Sequence, residues 1–204
     1  MNIIESAKKF IQKENNSLWA YHNTEHNFNV HQMFNHLCEL SWIDKEPRFE
    51  WELAALFHDF NHTWKPDNIN NEWWENLLNA IQWREMFANQ EWLWEDISVN
   101  YTNVNLWILC TGYEHRPLEQ GWSKVFWPIL RDADLLNNLR KPENTITRWQ
   151  QLAKELDILR DKEFIQKNIE FYHSMNLYTN AGRVFFDEIK YDIIDILSHE
   201  IKKI

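Results

Sequence analysis

Glycine and proline are scarce in this chain of 204 residues, with 3 of the first and 5 of the second. Both interrupt helices more than other residues do, and strand-rich domains usually use more glycine at their turns. The shortage therefore predicts an all-α protein. Cysteine is almost missing too. Cys38 and Cys110 lie in apolar periodic stretches with no C-x-x-C, which argues against a disulfide framework or a zinc knuckle and predicts buried, reduced thiols. No apolar run approaches the ~18 residues that a membrane span requires. The opening MNIIESAKKF is broken by charge too early to be the apolar segment of a signal peptide. The expectation is a soluble, cytoplasmic protein with no membrane partner. Positive charge is also short: 21 Lys and Arg against 31 Asp and Glu give a net charge of -10. Such a surface repels polyphosphate backbones at long range, so no bulk nucleic acid is expected as a partner. A small anionic substrate remains open, because a bound metal reverses the field locally.

Aromatic residues are plentiful, with 13 Trp and 12 Phe. Most of these rings are expected in the core and between helices. The tryptophan-rich segments at 73–94 and 122–127 are read as shaping either a pocket or an interface, and the sequence does not choose between them; a homodimer is left open as a partner. The length suits one domain with a sizeable core. Apolar periodicity predicts helices at about 2–19, 24–41, 48–60, 70–88, 97–112, 123–140, 143–160, 162–176 and 183–202. Pro47, Pro66, Gly112, Pro117, Gly121, Pro142 and Gly182 fall at or near the proposed ends. No repeat or low-complexity linker interrupts the pattern, so a single irregular helical bundle is expected over 1–204.

Polar side chains interrupt three of the apolar stripes. From His26, Val30, Met33, Phe34, Leu37 and Leu40 follow at helical spacing, so His26 points inward from the first turn of its helix, which Asn23 or Thr24 can cap. His31 and His36 fall on other faces and read as surface histidines. In LAALFHDFNH, His58 extends the inward stripe of Trp51 and Ala54, and Asp59 follows it. In WPILRDADLLNNL, Asp132 and Asp134 break a third apolar run, and periodicity does not separate them. Buried carboxylates without a partner cost several kcal/mol each, and a divalent cation removes that cost. Two imidazoles with carboxylates suit Mn, Fe, Co, Ni or Zn, or Mg with waters completing the shell.

These segments resemble the HD superfamily of metal-dependent phosphohydrolases, named for an H…HD…D pattern. YHNTEH is similar to its first-ligand motif, LAALFHDFNH to its HD motif and RDADLL to its final-aspartate motif, together spanning residues 21–136. The resemblance implies that His26, His58, Asp59 and Asp134 ligate one or two divalent metal ions, with Asp132 and His22 as outer partners. It also implies that Asp59 helps to orient the attacking water. His62 has the HD-x-x-H spacing of some members, and His62 or His115 would act as proton donor. Lys65, Arg116 and Arg131, adjacent to motif residues, are the candidate phosphate contacts. Residues from Lys141 on match no functional motif.

The activity so implied is hydrolysis of a phosphate ester or anhydride of a small molecule, with a nucleotide as the leading substrate. Two alternatives stand beside it: a di-iron oxygenase on the same fold, and a non-catalytic nucleotide-sensing module. The oxygenase needs two well-separated histidines between the HD pair and the last aspartate. Only His62 and His115 lie there, and His62 sits very close to the pair.

Overall fold

The computed structural model describes residues 2–15, 19–45, 48–62, 73–90, 99–109, 111, 123–137 and 139–204. Among them are nine helices and no strand: α1 (Ile3–Glu14), α2 (Thr24–Leu40), α3 (Phe49–Phe57), α4 (Trp73–Ala88), α5 (Tyr101–Leu109), α6 (Ser123–Leu136), α7 (Asn144–Glu155), α8 (Lys162–Ser174) and α9 (Asn180–Ile201). Every helix expected from periodicity is present, and the chain is all-α as its glycine and proline content predicts. No helix of the described residues is long and apolar enough to cross a membrane.

Helix α2 is the hub. It packs against α3 on one side and α6 on the other, while α5 covers α3 and α9 closes over α2 and α6. Val30, Met33, Phe34 and Leu37 are fully buried, as the stripe starting at His26 predicts, whereas Leu40 at the helix end is exposed; Ala54 and Ala55 let α3 approach closely. Many of the described aromatic rings are core residues, although Trp42 is exposed, and the tryptophan-rich segments lie partly outside the described residues. Phe10, Phe57, Phe60, Trp83 and Phe87 form one cluster, and Trp51 of α3 stacks on Trp107 of α5 with centroids 4.0 Å apart. Cys38 is buried, and that burial pushes its thiol up to about 12, so it is an inert core residue. Cys110 lies outside the described residues.

The helix ends differ from periodicity where side chains intervene. Helix α1 stops at Glu14 because Asn15 turns away: its Oδ1 accepts from the Asn61 N–H at 3.1 Å and its Nδ2 donates to Thr24 Oγ1 at 3.3 Å. Helix α6 runs through Pro128 and stops at Leu136. Helix α9 starts before Gly182, because Thr179 caps it and accepts from the Gly182 N–H at 2.8 Å.

Asp132 belongs to that cap. Its carboxylate accepts from Tyr178 N at 2.8 Å, Thr179 N at 2.8 Å and Thr179 Oγ1 at 2.6 Å, and the side chain is fully buried. A Cβ at Gly182 would overlap this anchored carboxylate oxygen. Gly182→Ala is therefore expected to destabilise the fold by about 2 kcal/mol, since the carboxylate cannot move aside without losing its donors; a urea titration of the variant reads this directly.

His31 corrects the sequence reading. It is buried rather than at the surface, with Nε2 3.1 Å from Glu52 Oε2 of α3. Helix α3 covers that face of α2, which the period of α2 alone does not reveal. His36 is half-buried, with its ring edge-on to Phe185 of α9.

Candidate metal centre

Four side chains from three segments meet beside the end of α3. Asn23 caps α2, accepting from Glu25 N at 2.9 Å and His26 N at 3.2 Å, and so holds His26 in the first turn facing inward. Asn27 donates from Nδ2 to the Leu56 carbonyl at 2.9 Å, which ties α2 to the last turn of α3. His58 and Asp59 follow that turn. Asn61, in the turn that follows, is a left-handed residue (φ 55°) of a type that tolerates this conformation. Asp134 comes from the last turn of α6.

One donor atom from each of His26, His58, Asp59 and Asp134 lies within 4.8 Å of all the others. The Nε2 atoms of His26 and His58 are each 3.1 Å from Asp59 Oδ2 and 3.7 Å from Asp134 Oδ1. With metal–ligand bonds of about 2.1 Å, donors at right or tetrahedral angles are about 3.0 to 3.4 Å apart. The edges to Asp59 fall within that range, and those to Asp134, at 3.7 Å, lie slightly beyond it. The Nδ1–H of His58 donates to the Ala55 carbonyl at 2.9 Å, which leaves Nε2 as the nitrogen that faces the cluster. His58 Nε2 is buried and out of hydrogen-bonding alignment with any partner among the described residues, although Asp59 is close. A buried nitrogen that faces two carboxylates without bonding either fits a cation held between them. Once a cation replaces the proton that the two carboxylates favour on His58, two carboxylates and two neutral imidazoles balance the charge of a divalent ion.

The protonation of these groups follows from their crowding. Burial disfavours charge on His58, but Asp59 and Asp134 outweigh it and raise the ring well above its usual range. Burial works against the Asp59 charge too, yet His58 and His26 hold it well below the usual carboxylate range. Asp134 is held down to about 2, with burial opposing and His58 prevailing. His26 goes the other way, because burial lowers it more than Asp59 raises it. Asp59 and Asp134 are the more accessible members, at 17% and 30% side-chain exposure, so the centre opens to solvent on their side.

Helix α7 contributes to the site, although no sequence signal singled it out. Glu155 accepts from the His22 ring Nδ1–H, and its Oε2 accepts from Tyr21 N at 2.8 Å and His22 N at 3.0 Å. Arg148 donates from Nη1 to the Leu135 carbonyl at 3.0 Å and the Asn137 carbonyl at 3.3 Å, at the end of α6 just beyond Asp134. Its guanidinium also lies over the Tyr21 ring, 5.6 Å from the centroid. One helix thus grips both the segment before His26 and the segment after Asp134.

Burial opposes ionisation of Glu155, but the His22 ring and the two backbone N–H groups hold it down to about 2 from an ordinary 4.5. A depressed carboxylate stabilises the fold above its unfolded pKa, and that contribution is lost as pH falls through the folded value. Between about pH 4.5 and 2, Glu155→Gln is expected to flatten the acid limb of the stability curve by on the order of 2 kcal/mol; chemical denaturation across that window measures it.

The remaining candidates divide clearly. His62 is buried, and its ring stacks on His22 with centroids 4.0 Å apart and planes at 7°. His22 lies at the edge of the centre, with Nε2 3.9 Å from Asp59 Oδ2. Asp132, expected as an outer partner of the metal, instead anchors the start of α9. The α6 stripe carries both aspartates, and the Thr179 turn takes Asp132. Arg131 donates to the Thr111 carbonyl, a backbone tie rather than a visible phosphate contact. His115, Lys65 and Arg116 lie outside the described residues. The chain matches no protein-family model, no curated protein and no solved structure, so the reading of this site rests on its own geometry.

Proposed function

We propose that the chain is a metal-dependent phosphohydrolase of the HD type, acting on a phosphate ester or anhydride of a small molecule, with a nucleotide as the leading substrate. The observation that carries this reading is the convergence of His26, His58, Asp59 and Asp134, with the His58 tautomer set by Ala55. These four residues would hold the cation. A divalent ion there supplies Lewis acidity toward a phosphoryl oxygen and lowers the pKa of water.

The protein's own groups do the rest. Asp59, the most central carboxylate, accepts a hydrogen bond from the attacking water and orients it toward phosphorus. The leaving oxygen takes its proton from His62 or His115. The net charge of -10 keeps long polyanions away, while a small phosphate reaches the site from the open side of Asp134.

The test is a phosphate and pyrophosphate release screen over nucleoside mono- and triphosphates and cyclic nucleotides, with Mn, Co, Ni, Zn, Mg and Fe added in turn. Turnover of one nucleotide class that disappears in Asp134→Asn supports the reading. Bound nucleotide without turnover under every metal replaces it with a sensor, and iron-dependent oxygen consumption replaces it with an oxygenase.

A further inference from the structure

We propose that a cavity among α1, α2 and α3 is a second ligand site, which takes a small carboxylate with an apolar body: the carboxylate binds Arg48 in place of Glu39, and the body lies against Ile3, Ile4 and Phe49. The cavity has a volume of about 600 Å3, within the range of small-molecule sites. It shares no residue with the cluster of His26, His58, Asp59 and Asp134, so the site stands apart from the hydrolase reading.

Arg48 stands immediately before α3 with only 2% of its side chain exposed, and it lines the cavity. A guanidinium has several N–H donors to satisfy. Among the described residues they meet the Asn35 carbonyl, at a long 3.5 Å from Nη1, and the Cys38 thiol, a weak acceptor. Nε is buried without a hydrogen-bond partner. Two carboxylates balance the charge without bonding it: Glu52 Oε1 is 3.7 Å from Nε, and Glu39 Oε1 is 3.8 Å from Nη2. Both distances exceed that of a hydrogen bond. A buried cation so placed has charge partners but lacks acceptors, and a ligand's oxygens supply them.

The two glutamates differ in how easily they give way. Glu52 is 14% exposed along its side chain and has Oε2 3.1 Å from His31 Nε2, so it is fixed in place. Glu39 is 62% exposed, and a surface carboxylate so loosely paired gains little from its partner. A ligand carboxylate that replaces it keeps the charge balance and adds the parallel N–H···O bonds that a guanidinium favours. A phosphate fits less well. Its second charge would face Glu52, and Lys8 is already paired with Glu5 at 3.0 Å. The exposed Lys45 also lines the cavity and attracts an anion to it. Ile3 and Ile4, both buried, and the half-buried Phe49 give the cavity an apolar surface, which a bare anion would leave uncovered.

The experiment is a titration of the full chain, followed by nitrogen–proton correlation spectra, with phenylbutyrate, with phenylbutanol as the same body without the charge, and with inorganic phosphate. Phenylbutyrate is expected to bind saturably below about 1 mM, shifting the amides of His31, Asn35 and Phe49 and leaving those of His58 and Asp134 in place. Phenylbutanol should bind at least about tenfold more weakly, for want of charged hydrogen bonds. Glu39→Gln, an exposed change, should tighten phenylbutyrate about two- to fivefold by removing the competitor. Arg48→Lys should weaken it about tenfold or more, because lysine does not offer the planar fork. If that variant unfolds, the alcohol and Glu39→Gln decide alone. Equal binding of acid and alcohol, an unchanged affinity in Glu39→Gln, shifts confined to His58 and Asp134, or no binding up to about 10 mM each overturns the proposal. Phosphate that moves the same amides while phenylbutyrate does not overturns it as well.

Discussion

Asp59→Asn is expected to abolish the thermal stabilisation that divalent metal gives the native chain. A cation present at a thousandfold excess over its dissociation constant stabilises the native state by about 4 kcal/mol. For a chain of this size that raises the melting temperature by roughly 10 °C. Asp59 is the shared vertex of the cluster, 3.1 Å from both imidazoles, so it is the residue whose charge the site can least replace. The asparagine keeps the shape and removes the charge, so the comparison isolates the ion from the packing. Melting curves with and without Zn, Mn and Co, recorded for both proteins, make the check. A variant that still gains about 10 °C from any of these metals would refute the assignment of the centre.

Arg148→Met should have the second-largest effect, and on two quantities at once. The guanidinium bonds the carbonyl of Leu135, in the last turn of α6, and that of Asn137, just past its end, where no following turn of helix can satisfy them. Methionine fills much of the volume but donates nothing. Leaving both carbonyls without this donor costs about 3 kcal/mol, or roughly 10 °C in melting temperature. The end of α6 also carries Asp134, so metal affinity should fall by about 10- to 100-fold, as expected when a residue that supports a ligand is lost. Isothermal titration with zinc and a thermal melt separate the two effects. Unchanged affinity in a destabilised protein would confine Arg148 to holding the helix end.

The helices were legible because so little interrupts them, and His26, His58, Asp59 and Asp134 because polar residues on apolar stripes stand out. Periodicity did not separate Asp132 from Asp134. They differ by two positions on one helix, and the difference is made by Thr179 and Tyr178 more than forty residues later, which take Asp132 into the start of α9. Glu155 gave no signal. It sits in QLAKELD, an ordinary charged helix end, and its partner His22 lies 133 residues earlier. Arg148 shares the face of α7 that also carries Thr145 and Glu155, and a buried arginine there looks in sequence like any solvated one. The burial of His31 is hidden in the sequence for the same reason: its partner Glu52 belongs to another helix. Properties set within one helix could be read from the sequence. Those set between helices could not.

The grip of α7 on both sides of the centre also bears on the order of folding. His26 and Asp134 are far apart along the chain, and the helix that secures both segments comes after either of them. Contacts of such long sequence separation close late, because the loop entropy must be overcome before they stabilise anything. The centre is thus expected to complete late, after the folding barrier. A cation bound there would then be expected to slow unfolding and leave the refolding rate almost unchanged.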